Sequence, residues 1–316
     1  MSHGYGERVA RTWFDRRTHD GRQWSLDQLL EAKRSAAQRL TVVIPARNEA
    51  ATVGDVVGRI HAAFVEGSAL VDELVVIDGE STDDTAAIAA AAGATVHRLT
   101  EIRPDLGTRV GKGEAMWKSQ FVTSGDIVAF VDADLTQWDT HFVTGLVGPL
   151  LTDPAVALVK GFYERPYRSG ATYEPQGGGR VTELVARPML AIARPELTQV
   201  VQPLAGEWAV RREVYETLRV PIGYGVDLAA LIDVADRLGI DAIAQVDLGV
   251  RAHSHQSLHD LGPMSVQLMA AVLNRARQTL DDHVPLRQFR ALRDGYAPVV
   301  HDVDVTERPP AVEVAR

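Results

Sequence analysis

From Leu40 to Asp132 the chain alternates apolar runs of strand length with amphipathic runs of helix length, an order that leaves few folds open. Leu40–Pro45, Glu73–Asp78, Ala94–Arg98 and Asp126–Asp132 read as strands, and Ala50–Phe64, Asp83–Ala92 and Gly113–Ser124 as the helices between them. In the first of these helices Val53, Val56, Val57, Ile60 and Phe64 share one face. Strands that are apolar on both faces need cover on both sides. The order therefore predicts an α/β fold: a mainly parallel, Rossmann-like nucleotide-binding sheet with right-handed crossovers and helices on both faces. Such sheets bind ligands at the carboxyl ends of their strands. The polar residues gather there: Arg47, Asn48 and Glu49 after the first strand, Asp78 after the second, Asp132 and Asp134 after the fourth.

Around this core the sequence divides into an arm and helix (1–39), the nucleotide-binding half (40–163), a second half (164–280) and a tail (281–316). Ser25–Ala37 reads as a helix capped by Ser25, with Gln28 three residues on. After a strand at Ala155–Tyr163 comes a glycine- and proline-rich loop, then helices at Arg180–Ala193 and Val226–Leu238, a strand at Asp241–Val250 and a helix at Met264–Leu280. The tail from Val284 holds four prolines and mixed charge, which predicts weak packing or exchange with a neighbouring subunit.

Composition narrows the function. There is no cysteine, so neither a disulfide framework nor a thiolate metal site nor a cysteine nucleophile is available, which suits a cytoplasmic protein. The polar first residues have no signal-peptide core, and no apolar run approaches the roughly eighteen residues of a membrane span. A formal charge of −9 argues against general nucleic-acid binding, so any anionic ligand must be met by local basic residues.

The sharpest chemical signal is Val131-Asp132-Ala133-Asp134-Leu135, a hydrophobic strand running into two carboxylates one residue apart. Alternation along a strand lets Asp132 and Asp134 converge while Ala133 points away, and hard oxygens at a sheet's mouth suit Mg²⁺ or Mn²⁺ held with a nucleotide's phosphates. Two solvated loop carboxylates are the plain alternative. Pro45-Ala46-Arg47-Asn48-Glu49 leaves the first strand for a helix, either lining a nucleoside pocket or capping the helix through Asn48. Asp78-Gly79-Glu80-Ser81-Thr82-Asp83 repeats the arrangement, with Asp78 free to accept from a base or ribose or simply belonging to a turn and cap.

In order and spacing, these three pieces resemble family A (GT-A) glycosyltransferases over residues 40–135. Gly111-Lys112-Gly113-Glu114-Ala115, the run Gly177 to Pro188, Gln202-Pro203-Leu204-Ala205-Gly206-Glu207, Gly223-Tyr224-Gly225-Val226 and Asp241 to Arg251 are similar to glucosyl-3-phosphoglycerate synthases, over about residues 25–280. The resemblance implies a metal-dependent, retaining glycosyltransferase that moves glucose from UDP-glucose or another NDP-glucose to the 2-hydroxyl of 3-phosphoglycerate, working as a homodimer. It implies donor contacts at Pro45, Ala46, Glu49, Asp78, Gly79, Lys112, Asp132 and Tyr224, and a metal (Mg²⁺ or Mn²⁺) on Asp134 and His253. It places the acceptor on Gly179, Arg180, Thr182 and Met264, and assigns catalysis to Asp134, Lys112, Leu204 and Asp227. The second half then carries the acceptor.

The residues make separate sense of part of that set. Three glycines before a helix expose N–H groups at its positive end, and Arg180 with the Thr182 hydroxyl completes a phosphate cradle. Lys112 between two glycines is placed for close approach to a phosphate, or is a surface lysine. Three positions depart from the family pattern: Asp227 replaces a glutamate, Gly79 a serine and Gln256 an arginine. The rival readings are a mannosyl-transferring relative, a sugar nucleotidyltransferase and a non-catalytic nucleotide-sugar-binding protein. The nucleotidyltransferase's glycine-rich Gly-x-Gly-Thr-Arg start is missing from the first strand.

Overall fold

The computed structural model describes residues 12–164, 167–169, 172–174, 179–251, 259–276, 282–292 and 295–314. The strands are β1 Thr18–Asp20, β2 Leu40–Ala46, β3 Glu73–Asp78, β4 Thr95–Arg98, β5 Ile127–Phe130, β6 Leu158–Glu164, β7 Tyr167–Ser169, β8 Thr172–Glu174, β9 Trp208–Arg211, β10 Val220–Pro221, β11 Ile243–Val250, β12 His283–Leu292, β13 Gly295–Asp304 and β14 Glu307–Arg308. The helices are α1 Trp13–Arg17, α2 Leu26–Ser35, α3 Val53–Ile60, α4 Thr85–Ala91, α5 Lys112–Ser119, α6 His141–Thr152, α7 Arg187–Ala193, α8 Arg212–Tyr215, α9 Val226–Leu238 and α10 Leu261–Arg275.

Eight strands form one sheet in the order β1-β11-β6-β9-β5-β2-β3-β4. Every pairing is parallel except those of β9, which runs antiparallel between β5 and β6. Both faces are covered, as apolar strands require: Val42, Ile44 and Val76 face one core, Val43, Val75 and Ile77 the other. The chain runs outward through β2, β3 and β4, then returns to lay β5 on the other side of β2. That reversal is a topological switch point, and the crevice it opens lies at the carboxyl ends of β2 and β5.

Local chemistry accounts for much of this. Ser25 accepts from the Gln28 N–H while Gln28 reaches back to the Ser25 N–H, the reciprocal cap read from the sequence. The helix expected over Ala50–Phe64 begins at Val53 and ends in a wider turn, His61–Glu66, yet buries the five apolar residues of its expected face.

Four features lay outside the sequence reading or departed from it. Residues 142–151 of α6 are buried all round, so this helix carries no amphipathic period to detect. The four-residue β9 is too short to signal itself. The arm contributes β1, which extends the sheet beside β11, and Trp13 donates its indole N–H to the Ile240 carbonyl at 2.8 Å. The tail is docked rather than weakly packed. Beyond the β12–β13 hairpin, the Pro309 carbonyl accepts from Trp117 at 3.0 Å, Arg308 reaches the buried Glu114 at 2.7 and 2.8 Å, and Glu307 pairs with Arg275 at 2.6 Å. No helix among the described residues is long and apolar enough to cross a membrane.

Candidate active site

The register of the sheet brings together the residues expected on the donor side. Ala46 lies opposite Asp78, so the two strands end side by side. Asn48, in the left-handed region at φ 57°, does not cap its own helix; its N–H donates to Ser81 Oγ at 2.9 Å and its Oδ1 accepts from the Thr82 N–H at 2.8 Å. The Glu49 N–H donates to Thr85 Oγ1 at 2.8 Å. The loops after β2 and β3 are thus laced into one wall holding Pro45, Ala46, Glu49, Asp78 and Gly79. Asp78 is buried and accepts from the Ser81 N–H at 3.3 Å. A Cβ on Gly79 would sit only 3.3 Å from the Ala46 carbonyl oxygen and from Arg47 Cβ, which keeps this turn tight. Burial, aided by the charge of Asp134, raises the Glu49 carboxyl above its ordinary value.

Lys112 is set by its two glycines. A Cβ at Gly113 would lie 1.8 Å from the Pro221 carbonyl oxygen, and one at Gly111 would lie 2.2 Å from that of Ile222, so the start of α5 presses directly on the 221–223 backbone. Lys112 Nζ donates to Asp132 Oδ1 at 2.8 Å and lies 3.7 Å from Asp227 Oδ2. Burial pulls the ammonium down, but the two carboxylates outweigh it and hold the group well above its ordinary value. Asp227 is itself buried and accepts the Trp208 indole N–H at 2.8 Å.

Four neighbouring strand ends supply a second polar cluster, of which the sequence reading assigned only Asp132. Tyr163 on β6, Glu207 just before β9, Arg251 just after β11 and Asp132 just past β5 meet at one edge because antiparallel β9 presents its beginning where the others end. Arg251 Nη2 donates to Asp132 Oδ2 at 3.1 Å and to Asp134 Oδ1 at 2.7 Å; Nη1 donates to Tyr163 Oη at 2.6 Å and pairs with Glu207 at 3.1 Å. Tyr163 Oη donates to Glu207 Oε2 at 2.7 Å. Burial pushes Asp132 up, yet Lys112 and Arg251 prevail and hold it well below the carboxylate range. Glu207, fully buried, is raised by desolvation despite Arg251. Asp132 thus faces a different cation on each oxygen. Asp134 gives one oxygen to Arg251; among the described residues its other oxygen accepts nothing, and the side chain is 35% exposed. That open, hard oxygen fits a divalent cation. His253 lies outside the described residues, and no group of three or more His, Cys, Asp or Glu side chains suited to a metal occurs among the described ones.

Gly179 adopts φ +82° and its carbonyl accepts from the Glu183 N–H at 3.0 Å, opening the helical segment that carries Arg180 and the buried Thr182. Gly177 and Gly178 lie outside the described residues. Met264, on α10, packs against the same core as Leu204, which is half-buried. Tyr224 is largely exposed, with its backbone N–H donating to Gln267 Oε1 at 3.0 Å. The sequence runs 202–207 and 241–251 already contained Glu207 and Arg251, but their role depends on the strand order, which no local pattern discloses.

A switch-point crevice walled by the loops after β2 and β3, with an Asp-x-Asp at the mouth of β5, defines a GT-A glycosyltransferase. The glycosyl transferase family 2 model matches residues 41–219, and the chain belongs to that family and, within it, to the glucosyl-3-phosphoglycerate synthases. The glucosyl-3-phosphoglycerate synthase of Mycolicibacterium smegmatis is 47% identical over 302 residues, covering 96% of this chain and 98% of its own. The Mycobacterium tuberculosis enzyme in complex with Mn²⁺, UDP-glucose and phosphoglyceric acid superposes with a TM-score of 0.83 at 46% identity, over 94% of this chain and 98% of that one. The same enzyme with Mg²⁺ and UDP gives a TM-score of 0.84 at 46% identity and the same coverage.

Proposed function

We propose that this chain transfers glucose from UDP-glucose to the 2-hydroxyl of 3-phosphoglycerate with retention of the anomeric configuration, giving glucosyl-3-phosphoglycerate. The observation that carries the reading is the clamp of Asp132 between Lys112 and Arg251 beside an Asp134 that keeps one oxygen open. Asp134, with His253, would hold Mg²⁺ or Mn²⁺, the ions named with the tuberculosis enzyme, and the bound ion supplies positive charge to the departing diphosphate. Pro45, Ala46, Glu49, Asp78 and Gly79 receive the nucleoside, and Tyr224 contributes to the donor site. Lys112 faces the diphosphate, and Asp132 and Asp227 face the sugar.

Gly179, Arg180, Thr182 and Met264 hold the phosphoglycerate in the 164–280 half, which is how a chain of charge −9 accepts so anionic a substrate. The Leu204 carbonyl lies by the reacting carbon. The carboxylates near the sugar are committed, Asp132 to two cations and Asp227 to Trp208 and Lys112, which supports attack on the leaving-group face over a covalent intermediate. We extend the reading to a cytoplasmic homodimer.

The test is nucleoside diphosphate release from UDP-glucose, GDP-glucose and GDP-mannose in turn, with Mg²⁺, with and without 3-phosphoglycerate. Release from UDP-glucose that requires the acceptor is the expected result; release indifferent to the acceptor would overturn the acceptor assignment. Arg180→Ala is expected to raise KM for 3-phosphoglycerate by roughly 10- to 100-fold, the worth of a charge-assisted contact, with KM for UDP-glucose little changed. An equal rise for both substrates would remove the cradle. Gly206→Ala tests the clamp, since the new Cβ would lie 2.2 Å from Asp132 Oδ2 and 2.6 Å from Lys112 Nζ. Splaying that pair by an ångström is expected to lower kcat about 100-fold, and steady-state rates near those of the unchanged protein would show that the clamp is dispensable.

A further inference from the structure

Lys160, on β6, is 1% exposed and none of the roles above uses it. Its register partners are Trp208 on β9 and Gln245 on β11, so it sits in the middle of the sheet. Among the described residues Nζ makes one hydrogen bond, to the Ala205 carbonyl at 2.7 Å, and no carboxylate lies within ion-pair distance. Burying an ammonium is costly, and a neutral side chain would fill the space at less expense, so one backbone contact alone is a poor reason to keep a charge there. What that contact restrains is the turn Pro203-Leu204-Ala205-Gly206-Glu207. Within five residues this turn holds the Leu204 carbonyl, the glycine against which Asp132 and Lys112 close, and the carboxylate that pairs with Arg251.

We propose that Lys160 is a positioning residue for sugar transfer: by clamping the Ala205 carbonyl from below, it fixes the Leu204–Gly206 turn against Lys112 and Asp132. The assignment rests on the reading of Leu204 given above. Burial pulls the ammonium down to about 8, with Lys112 adding to the fall and the charges of Asp227, Glu207 and Asp132 opposing it, so it stays largely protonated at neutral pH. Beside it Trp208, whose ring centroid is 5.7 Å away, holds Asp227, so one buried cation touches both supports of the sugar side.

Lys160→Met removes the donor and keeps much of the volume. The expected outcome is a kcat roughly 50-fold lower, KM for both substrates and UDP affinity in Mn²⁺ unchanged within about twofold, and faster amide exchange confined to residues 204–207. A kcat within about twofold of the unchanged protein would overturn the proposal, as would faster exchange spread over the whole sheet with activity lost only in proportion to the unfolded fraction. Lys160→Leu, which also lacks a donor, is read in the same way if the methionine variant does not fold. Absence of acceptor-dependent release in the unchanged protein would count against the acceptor reading alone, and exchange over 204–207 would still decide the clamp.

Discussion

Asp134→Asn is expected to lower kcat by about 1,000-fold or more while the protein stays folded. The substitution preserves shape, and the amide oxygen can still accept from Arg251 Nη2, which now bonds Asp134 at 2.7 Å. What disappears is the negative charge on the open oxygen and with it the hold on a divalent cation. Asp132 cannot take over, because Lys112 and Arg251 already occupy its two oxygens. Melting temperature and far-UV circular dichroism should therefore be near normal, UDP affinity should lose its dependence on Mn²⁺, and acceptor-dependent UDP release should fall to background. Near-normal turnover would sink the assignment of the metal to Asp134.

What the sequence disclosed was whatever is written locally. An apolar run ending in two alternate carboxylates announces a strand, and β5 is there, although it ends at Phe130 and Asp132 and Asp134 follow it into a turn. The glycines around Lys112 imply close backbone approach, and the approach is there, made by residues 221–223. Ser25 and Gln28 name their own cap. The charges that hold the site in shape were not legible, because their partners are far apart in the chain. Arg251 reaches Asp132 across 119 positions and Tyr163 across 88, and these contacts exist only because β11, β6, β9 and β5 are consecutive in the sheet. That order depends on β9, four residues long and antiparallel among parallel neighbours, which periodicity does not reveal. The tail misled for a related reason. Its prolines and charges look like a loose end until Glu114, buried on α5, is found to need Arg308.

The same network carries the second large effect, which falls on stability. Arg251 is the cation common to Glu207, Asp132 and Asp134, and Glu207 is fully buried. Arg251→Met is expected to cost ~3–5 kcal/mol, because one partner of a buried ion pair is removed and the other left charged out of water. At about 2 °C per kcal/mol for a chain of this size, that is a fall in melting temperature of roughly 6 °C or more. The strongest check is the pair of substitutions together. Once Arg251 is gone, Glu207→Gln removes the stranded charge and leaves an amide that Tyr163 can still meet, so Arg251→Met/Glu207→Gln should melt above Arg251→Met alone. A double variant no more stable than the single one would mean that Arg251 contributes through packing, leaving the ion pairs without a share in stability. Recovery would identify the charge pairing as the contribution, and it would make the scaffold under the Asp-x-Asp an electrostatic one, built from strand ends that only this sheet order brings together.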